Sequence, residues 1–179
     1  LVAYLAGLGT GRTVTAEEDP AASLALDAFA TAAPRFDVAE LARAQERWLA
    51  TLDVDAVNAR LAERGLAPVD AALWAAVHGN LRGHGEGPWD ELATLAALDE
   101  WRAVASGAIT PMIASDDREL VATAADTLCD DVDVETWLAR LGEATGRRGK
   151  RLRLPIRRAL SGRSDGPPLG DLLAITGRE

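Results

Sequence analysis

Apolar residues recur at three- and four-residue spacing along most of the chain, and short polar breaks separate one apolar run from the next. In the segment FDVAELARAQERWLATL, the apolar positions include Leu41, Trp48 and Leu49, which share one face of a helix. Asp37 stands three residues before Glu40, an arrangement typical of a helix start. The pattern predicts an amphipathic helix of roughly four turns.

Four further segments show the same periodicity, and none shows the alternation of a strand. PVDAALWAAVHGNL places Pro68 at a first helical position, and WDELATLAALDEWRAVASG is one helix with a glycine past its end. SDDRELVATAADTLC takes Ser115 as its N-cap, and DVDVETWLARLGEA begins at Asp133. The sequence therefore predicts an all-α fold, a helical bundle or helical cage with two lobes, and a distinct basic C-terminal lobe from about residue 140.

Tryptophan positions divide into two groups. Four of the five tryptophans lie on predicted helix stripes and are expected in the core. Trp89 follows the glycine-rich break RGHGEGP, so it is either a core anchor at a helix start or a side chain that stacks on a base.

Length and composition narrow the class of protein. A chain of 179 residues suffices for one domain or two small ones. No apolar run of about 20 residues exists to span a membrane. The single cysteine, Cys129, forms no internal disulfide, which favours a reduced, cytoplasmic compartment. The chain begins at Leu1 inside a helix-like pattern, which indicates a piece of a longer protein.

No catalytic or metal centre can be assembled from the spacing of reactive residues. GLGTG lacks the flanking strand of a dinucleotide site, and His78 and His84 have no further ligands nearby. The acidic run DDVDVE lacks the calcium-loop pattern, and Cys129 has no recognisable base. An independent enzyme is therefore not expected.

The stretch TGRRGKRLRLPIRRALSGR, residues 145–163, carries eight of the chain's 19 basic residues and no acid. The protein has a formal charge of −9, so the other 160 residues carry −17. Seven of the eight cations are arginines, whose planar fork suits phosphate and stacks on bases. Pro155 predicts a loop or extended piece leading into a helix at 156–161, and SDGPPLG predicts a rigid turn beside the cations. The pattern favours RNA binding over a merely solvated charged face.

The segment TGRRGKRLRLPIRRALSGRSDGPPLGDLLAITGRE closely resembles the C-terminal signature of bacterial glutamyl-tRNA synthetases. LVAYLAGLGT, ATAAPRFDVAELARAQERWL and WAAVHGNL also look like segments of that family, especially of alphaproteobacterial enzymes. The likeness covers essentially all of the chain.

The resemblance implies the anticodon-binding part of a class I aminoacyl-tRNA synthetase, a glutamate-tRNA ligase. Residues 1–52 would end the stem-contact region, 53–139 would form a first anticodon-binding lobe, and 140–179 would form a second, basic lobe. The catalytic domain, with its ATP and Mg²⁺, would precede Leu1, and this chain itself would hold no cofactor. The implied partner is a glutamate tRNA, bound through its anticodon stem-loop by a monomer.

The resemblance also implies roles for individual residues. Contacts with anticodon bases carry over to Arg157, Gly166, Pro167 and Leu169, and Arg82 is the basic residue nearest to a further family arginine. Phosphate contacts are expected from Arg147, Arg148, Lys150, Arg151, Arg158 and Arg163.

Two other classes of function share these sequence features. A free-standing RNA-binding or regulatory module descended from a synthetase would use the same basic stretch. A helical protein-protein adaptor would use the acidic helices instead and leave the basic stretch idle.

Overall fold

The computed structural model describes residues 4, 5, 7, 8, 35–81, 91–129 and 133–177. Helices in the described ranges are α1 (Val38–Leu49), α2 (Val54–Glu63), α3 (Ala71–Val77), α4 (Glu91–Ala96), α5 (Leu98–Ala105), α6 (Arg118–Thr127), α7 (Val134–Thr145), α8 (Lys150–Ser161) and α9 (Leu169–Thr176). Residues 4, 5, 7 and 8 are also helical, two 3-10 turns lie at His78–Asn80 and Ser115–Asp117, and the described residues contain no strand. The predicted all-α fold is confirmed for this part of the chain.

The chain forms two compact units, each built from two stretches of sequence. The first consists of Leu1–Ala67 and Leu81–Ala97, and the second of Pro68–Asn80 and Leu98–Glu179. The boundaries predicted after residues 52 and 139 separate the chain by function. The division into compact units does not test them, so they stay a prediction.

In the first unit, aspartates begin both long helices. Asp37 Oδ1 accepts the Ala39 and Glu40 backbone N–H groups at the start of α1, which confirms the predicted helix start. Asp53 caps α2 in the same way. Leu41 and Leu49 from α1 are buried, as are Val57 and Leu61 from α2. Burial of the apolar stripes therefore supplies most of the stability of these helices.

Trp48, on α1, is half-buried rather than a core residue. The Arg60 guanidinium lies 4.4 Å from the centre of its ring, a cation-π contact that covers the indole. Trp74, Trp101 and Trp137 are buried as predicted, and Trp89 lies outside the described residues.

In the second unit, α3 packs against α5 and α9, while α8 packs against α6, α7 and α9. The predicted start of α3 at Pro68 is wrong, because Asp70 is the N-cap and accepts the Leu73 N–H at 2.8 Å. The predicted N-cap Ser115 is also wrong, since its hydroxyl donates to Asp116 and α6 begins after a 3-10 turn. Asp133 caps α7 as predicted.

The single helix predicted for WDELATLAALDEWRAVASG is interrupted at Ala97, between α4 and α5. Leu95 and Leu98 are both fully buried, but they belong to the cores of different compact units. One apolar stripe thus serves two cores. The predicted glycine past the end is present as Gly107, with φ 70°.

The predicted break at Pro155 is wrong, because α8 runs through the proline from Lys150 to Ser161. Proline inside a helix removes one backbone hydrogen bond and costs about 3 kcal/mol. Leu152, Pro155 and Ile156 are all buried, so apolar packing offsets this cost. No described helix is both long and apolar enough to cross a lipid bilayer.

Candidate nucleic-acid interface

A tight corner between α7 and α8 brings four cations close together. The helix α7 ends at Thr145 and is capped by Gly146, which has a left-handed φ of 67°, and α8 begins after Gly149, with φ 56°. A Cβ on Gly142 would lie 3.0 Å from the Arg147 carbonyl oxygen, so the corner packs directly on α7. The cations Arg147, Arg148, Lys150 and Arg151 follow one another around this corner.

The corner opens into a groove on the surface of the second unit. Its lining consists of Asp117, Gly146, Arg147, Arg148, Lys150, Arg151, Leu154, Pro155 and Arg158. Five of the six residues predicted to contact phosphate therefore meet in one place. Asp117 is the single acid in this lining.

The five cations of the groove differ in their partners. Arg147 forms an ion pair with Asp117 and donates from Nη2 to the Asp116 carbonyl oxygen at 2.6 Å. Arg158 donates from Nε to the Ser164 hydroxyl at 3.0 Å. Within the described parts of the chain, no hydrogen bond or ion pair involves the exposed side chains of Arg148, Lys150 and Arg151. These three charges are available to an external anion.

The first turn of α8 adds to the positive potential of the groove. Gly149 caps this helix without a side-chain hydrogen bond, and the first turn contains no acid. The N-terminal N–H groups of a helix carry a partial positive charge that attracts anions. The helix start and the three exposed cations therefore favour the same kind of ligand.

A second group of predicted residues surrounds the Arg157 side chain. Arg157 Nη1 donates to the Pro167 carbonyl oxygen at 2.6 Å, which ties α8 to the turn before α9. Burial lowers the pKa of the Arg157 guanidinium, and the nearby Asp165 carboxylate acts in the opposite direction. Arginine nevertheless stays charged at any physiological pH.

Gly166 fits closely between Arg157 and Trp101. A Cβ at this position would lie 2.5 Å from Trp101 Cη2 and 3.2 Å from Arg157 Nη1. Its φ of 134° also disfavours any residue with a side chain. The structure thus brings Arg157, Gly166 and Pro167 together, whereas Leu169, the first residue of α9, is buried with its side chain in the core.

Arg163 lies apart from the groove lining. Its guanidinium forms ion pairs with Glu100 and Asp165, and its carbon centre lies 5.4 Å from the centre of the Trp101 ring. Arg82 lies outside the described residues.

The sequence reasoning missed two residues of this interface, Asp117 in the groove and Trp101 beside Arg157. Trp101 was expected only as a core residue. Asp117 precedes its partner Arg147 by 30 positions, so no local pattern pairs them. The acid-rich start of SDDRELVATAADTLC was the available signal, because an acid cluster is the natural counterion of a basic stretch.

The fold and the groove define the class as an all-helical protein with a concentrated basic surface. Sequence comparison identifies the relatives. The chain is 40% identical over 99% of its length to glutamate-tRNA ligase 1 of Rhodospirillum rubrum. It is 38% identical over 100% of its length to glutamate-tRNA ligase 2 of Erythrobacter litoralis. It is 39% identical over 99% of its length to glutamate-tRNA ligase 1 of Rhizorhabdus wittichii.

The chain is therefore related over its whole length to the glutamate-tRNA ligases of alphaproteobacteria, which confirms the resemblance. It spans 37% to 38% of the length of these relatives, which is consistent with a C-terminal part. No protein-family model matches the chain. No solved structure matches it.

Proposed function

We propose that this chain is the tRNA-binding C-terminal part of a glutamate-tRNA ligase, and that it binds the anticodon stem-loop of a glutamate tRNA. The observation that carries the proposal is the groove at the start of α8, where Arg148, Lys150 and Arg151 are exposed and have no described partner. The relatives, which are named as glutamate-tRNA ligases, supply the identity of the RNA.

In this proposal the groove holds the phosphate backbone. Arg148, Lys150 and Arg151 make direct contacts, and Arg147 and Arg158 flank them. The 160 residues outside 145–163 carry a net formal charge of −17, which disfavours a polyanion away from the basic stretch. Binding therefore releases counterions locally and depends strongly on salt.

Arg157 is the proposed base-reading residue. One of its nitrogens donates to the Pro167 carbonyl, which fixes the direction of the guanidinium. A guanidinium has five N–H donors, so donors remain for the edge of an unstacked base. Gly166 and Pro167 form the turn beside it, Leu169 supports this turn from the buried start of α9, and Arg82 is the proposed further anticodon contact.

The remaining assignments follow from the same proposal. The parent enzyme charges tRNA with glutamate, using ATP and Mg²⁺, as a monomer in the bacterial cytoplasm. Among the described residues, no group of three His, Cys, Asp or Glu side chains could hold a metal ion. The proposal assigns the chemistry of charging to a catalytic region of the parent enzyme and RNA binding to this chain.

Replacement of Arg157 by alanine tests the base-reading role. The chain is titrated with a glutamate-tRNA anticodon stem-loop and with a copy in which the anticodon is swapped. We expect wild type to prefer the cognate RNA, and Arg157→Ala to lose about 1–3 kcal/mol of this preference, by analogy with bidentate base contacts in DNA. Equal losses on both RNAs would contradict the assignment, and thermal unfolding checks that the variant is folded.

A further inference from the structure

The contacts around Trp101 form a closed network that links α5, the end of α8 and the turn before α9. Arg163 lies over the Trp101 ring, and Gly166 meets the Cη2 edge of the same ring. Arg157 Nη1 lies against Gly166 and donates to the Pro167 carbonyl oxygen. Trp101 is thus next to Arg163 directly and next to Arg157 through the backbone of Gly166.

Backbone groups of Arg157 and Arg163 are also linked to each other, through the side chain of Ser161. The buried Ser161 hydroxyl donates to the Arg157 carbonyl oxygen at 2.8 Å and accepts the Arg163 N–H at 3.2 Å. One hydroxyl thus joins the two arginines through the last turn of α8. Their positions are coupled through both side chains and main chain.

The charge of Arg163 is already neutralised within the protein. Its side chain is only 25% exposed, and it pairs with Glu100 and also with Asp165, where Nε lies 3.5 Å from Oδ1. An RNA phosphate could reach Arg163 only by displacing these two carboxylates, and their negative charge would repel it. In contrast, Arg148, Lys150 and Arg151 offer their charges without such a competition.

We propose that Arg163 and Trp101 are positioning residues for base recognition, which hold Arg157 and the Gly166–Pro167 turn in place, and that Arg163 does not bind phosphate. The inference rests on the proposed function, because it needs Arg157 to read a base. It assigns a specificity role to Glu100, Trp101 and Arg163, none of which contacts the RNA.

The variant Glu100→Gln separates the two roles of Arg163, because it keeps the side-chain shape but removes one carboxylate. A phosphate-binding Arg163, freed from its partner, would bind both stem-loops more tightly and with a steeper salt dependence. If Arg163 is a positioning residue, the variant instead removes the ion-pair partner that holds its guanidinium in place. We then expect the cognate-to-swapped affinity ratio to fall about tenfold, with the salt slope unchanged.

Two controls make this test specific. Glu40→Gln removes a carboxylate that pairs with Arg43 on α1, so it matches the charge change and should alter neither quantity. Arg163→Lys keeps the positive charge but loses the planar fork, and we expect it to reduce the affinity ratio as Glu100→Gln does. In the Arg157→Ala background, neither Glu100→Gln nor Arg163→Lys should reduce the ratio further.

The outcomes distinguish this inference from the proposed function. If Arg157→Ala lowers the affinity ratio while Glu100→Gln and Arg163→Lys preserve it, the positioning role is overturned and base reading stands. If Arg157→Ala itself leaves the ratio unchanged, base reading is overturned and the positioning role falls with it. A steeper salt slope in Glu100→Gln would identify Arg163 as a phosphate ligand.

Discussion

Gly166 is the residue on which the geometry of the proposed base-reading site depends most directly. We expect Gly166→Ala to lower the free energy of unfolding by about 2 kcal/mol, since the new Cβ meets the Trp101 ring at 2.5 Å and φ is 134°. Gly146→Ala is the comparison variant, because its φ of 67° is the milder, left-handed value and its Cβ position has no neighbour within 4 Å. The control should lose only about 1 kcal/mol.

Urea unfolding of both glycine variants measures the difference. If the two substitutions cost the same, the contact between Gly166 and Trp101 contributes nothing, and the positioning network loses its central element. If Gly166→Ala costs more, as expected, the variant should also lose discrimination between anticodons.

Asp117 sets the charge of the groove, because it is the single acid in the lining and neutralises Arg147. We expect Asp117→Asn to raise the affinity for a stem-loop, since it removes a negative charge and frees an arginine for phosphate. The same change should lower the free energy of unfolding by about 1 kcal/mol, because the ion pair is lost.

Asp116→Asn is the control for this variant. It makes the same charge change one residue earlier, but Asp116 is absent from the lining, and its side chain accepts from the Ser115 hydroxyl. Fluorescence titration at low salt compares the two variants. An equal gain of affinity in both would mean that Asp117 acts only through the net charge.

At the scale of elements, Asp133 links the stability of α7 to pH. Its carboxylate accepts the Thr136 N–H and hydroxyl at 2.9 Å and 3.0 Å, and these hydrogen bonds lower the pKa of Asp133. A lowered pKa in the folded state stabilises the protein above the ordinary aspartate pKa of about 3.9, and this stabilisation is lost as the pH falls through the folded-state value.

Asp133→Asn should remove this contribution while keeping a side chain that can cap a helix. We expect the stability of wild type to fall more steeply than that of the variant as the pH drops below about 4. Urea unfolding at several pH values measures both slopes. Parallel curves for the two proteins would contradict the capping role of the carboxylate.

Two of the helix starts were predictable from a local signal. Asp37 and Asp133 cap their helices within three residues of their own position, so sequence alone located them. The interruption at Ala97 and the continuation of α8 through Pro155 depend on burial by distant segments. Periodicity and propensity carry no information about such tertiary packing, so both were predicted wrongly.

At the scale of the whole molecule, the basic surface was predictable because its cations are close together in sequence. Residues 145–163 form one corner, one helix and its end, so five of their eight cations remain together in the groove. The acidic residues that pair with some of these cations, and leave the others available to a ligand, lie in distant parts of the sequence. Asp117 and Glu100 precede Arg147 and Arg163 by 30 and 63 positions.

The central claim is that RNA binds to the groove at the start of α8. The salt dependence of the RNA affinity tests this claim most directly. A labelled glutamate-tRNA stem-loop is titrated with wild type, Arg151→Ala and the control Arg43→Ala at salt concentrations from about 50 to 200 mM. Arg43 is an α1 cation paired with Glu40, so its loss changes the net charge equally. We predict that Arg151→Ala flattens the slope of log affinity against log salt by about one, while Arg43→Ala leaves it unchanged. Equal slopes for the two variants, or no binding at the lowest salt, would contradict the account.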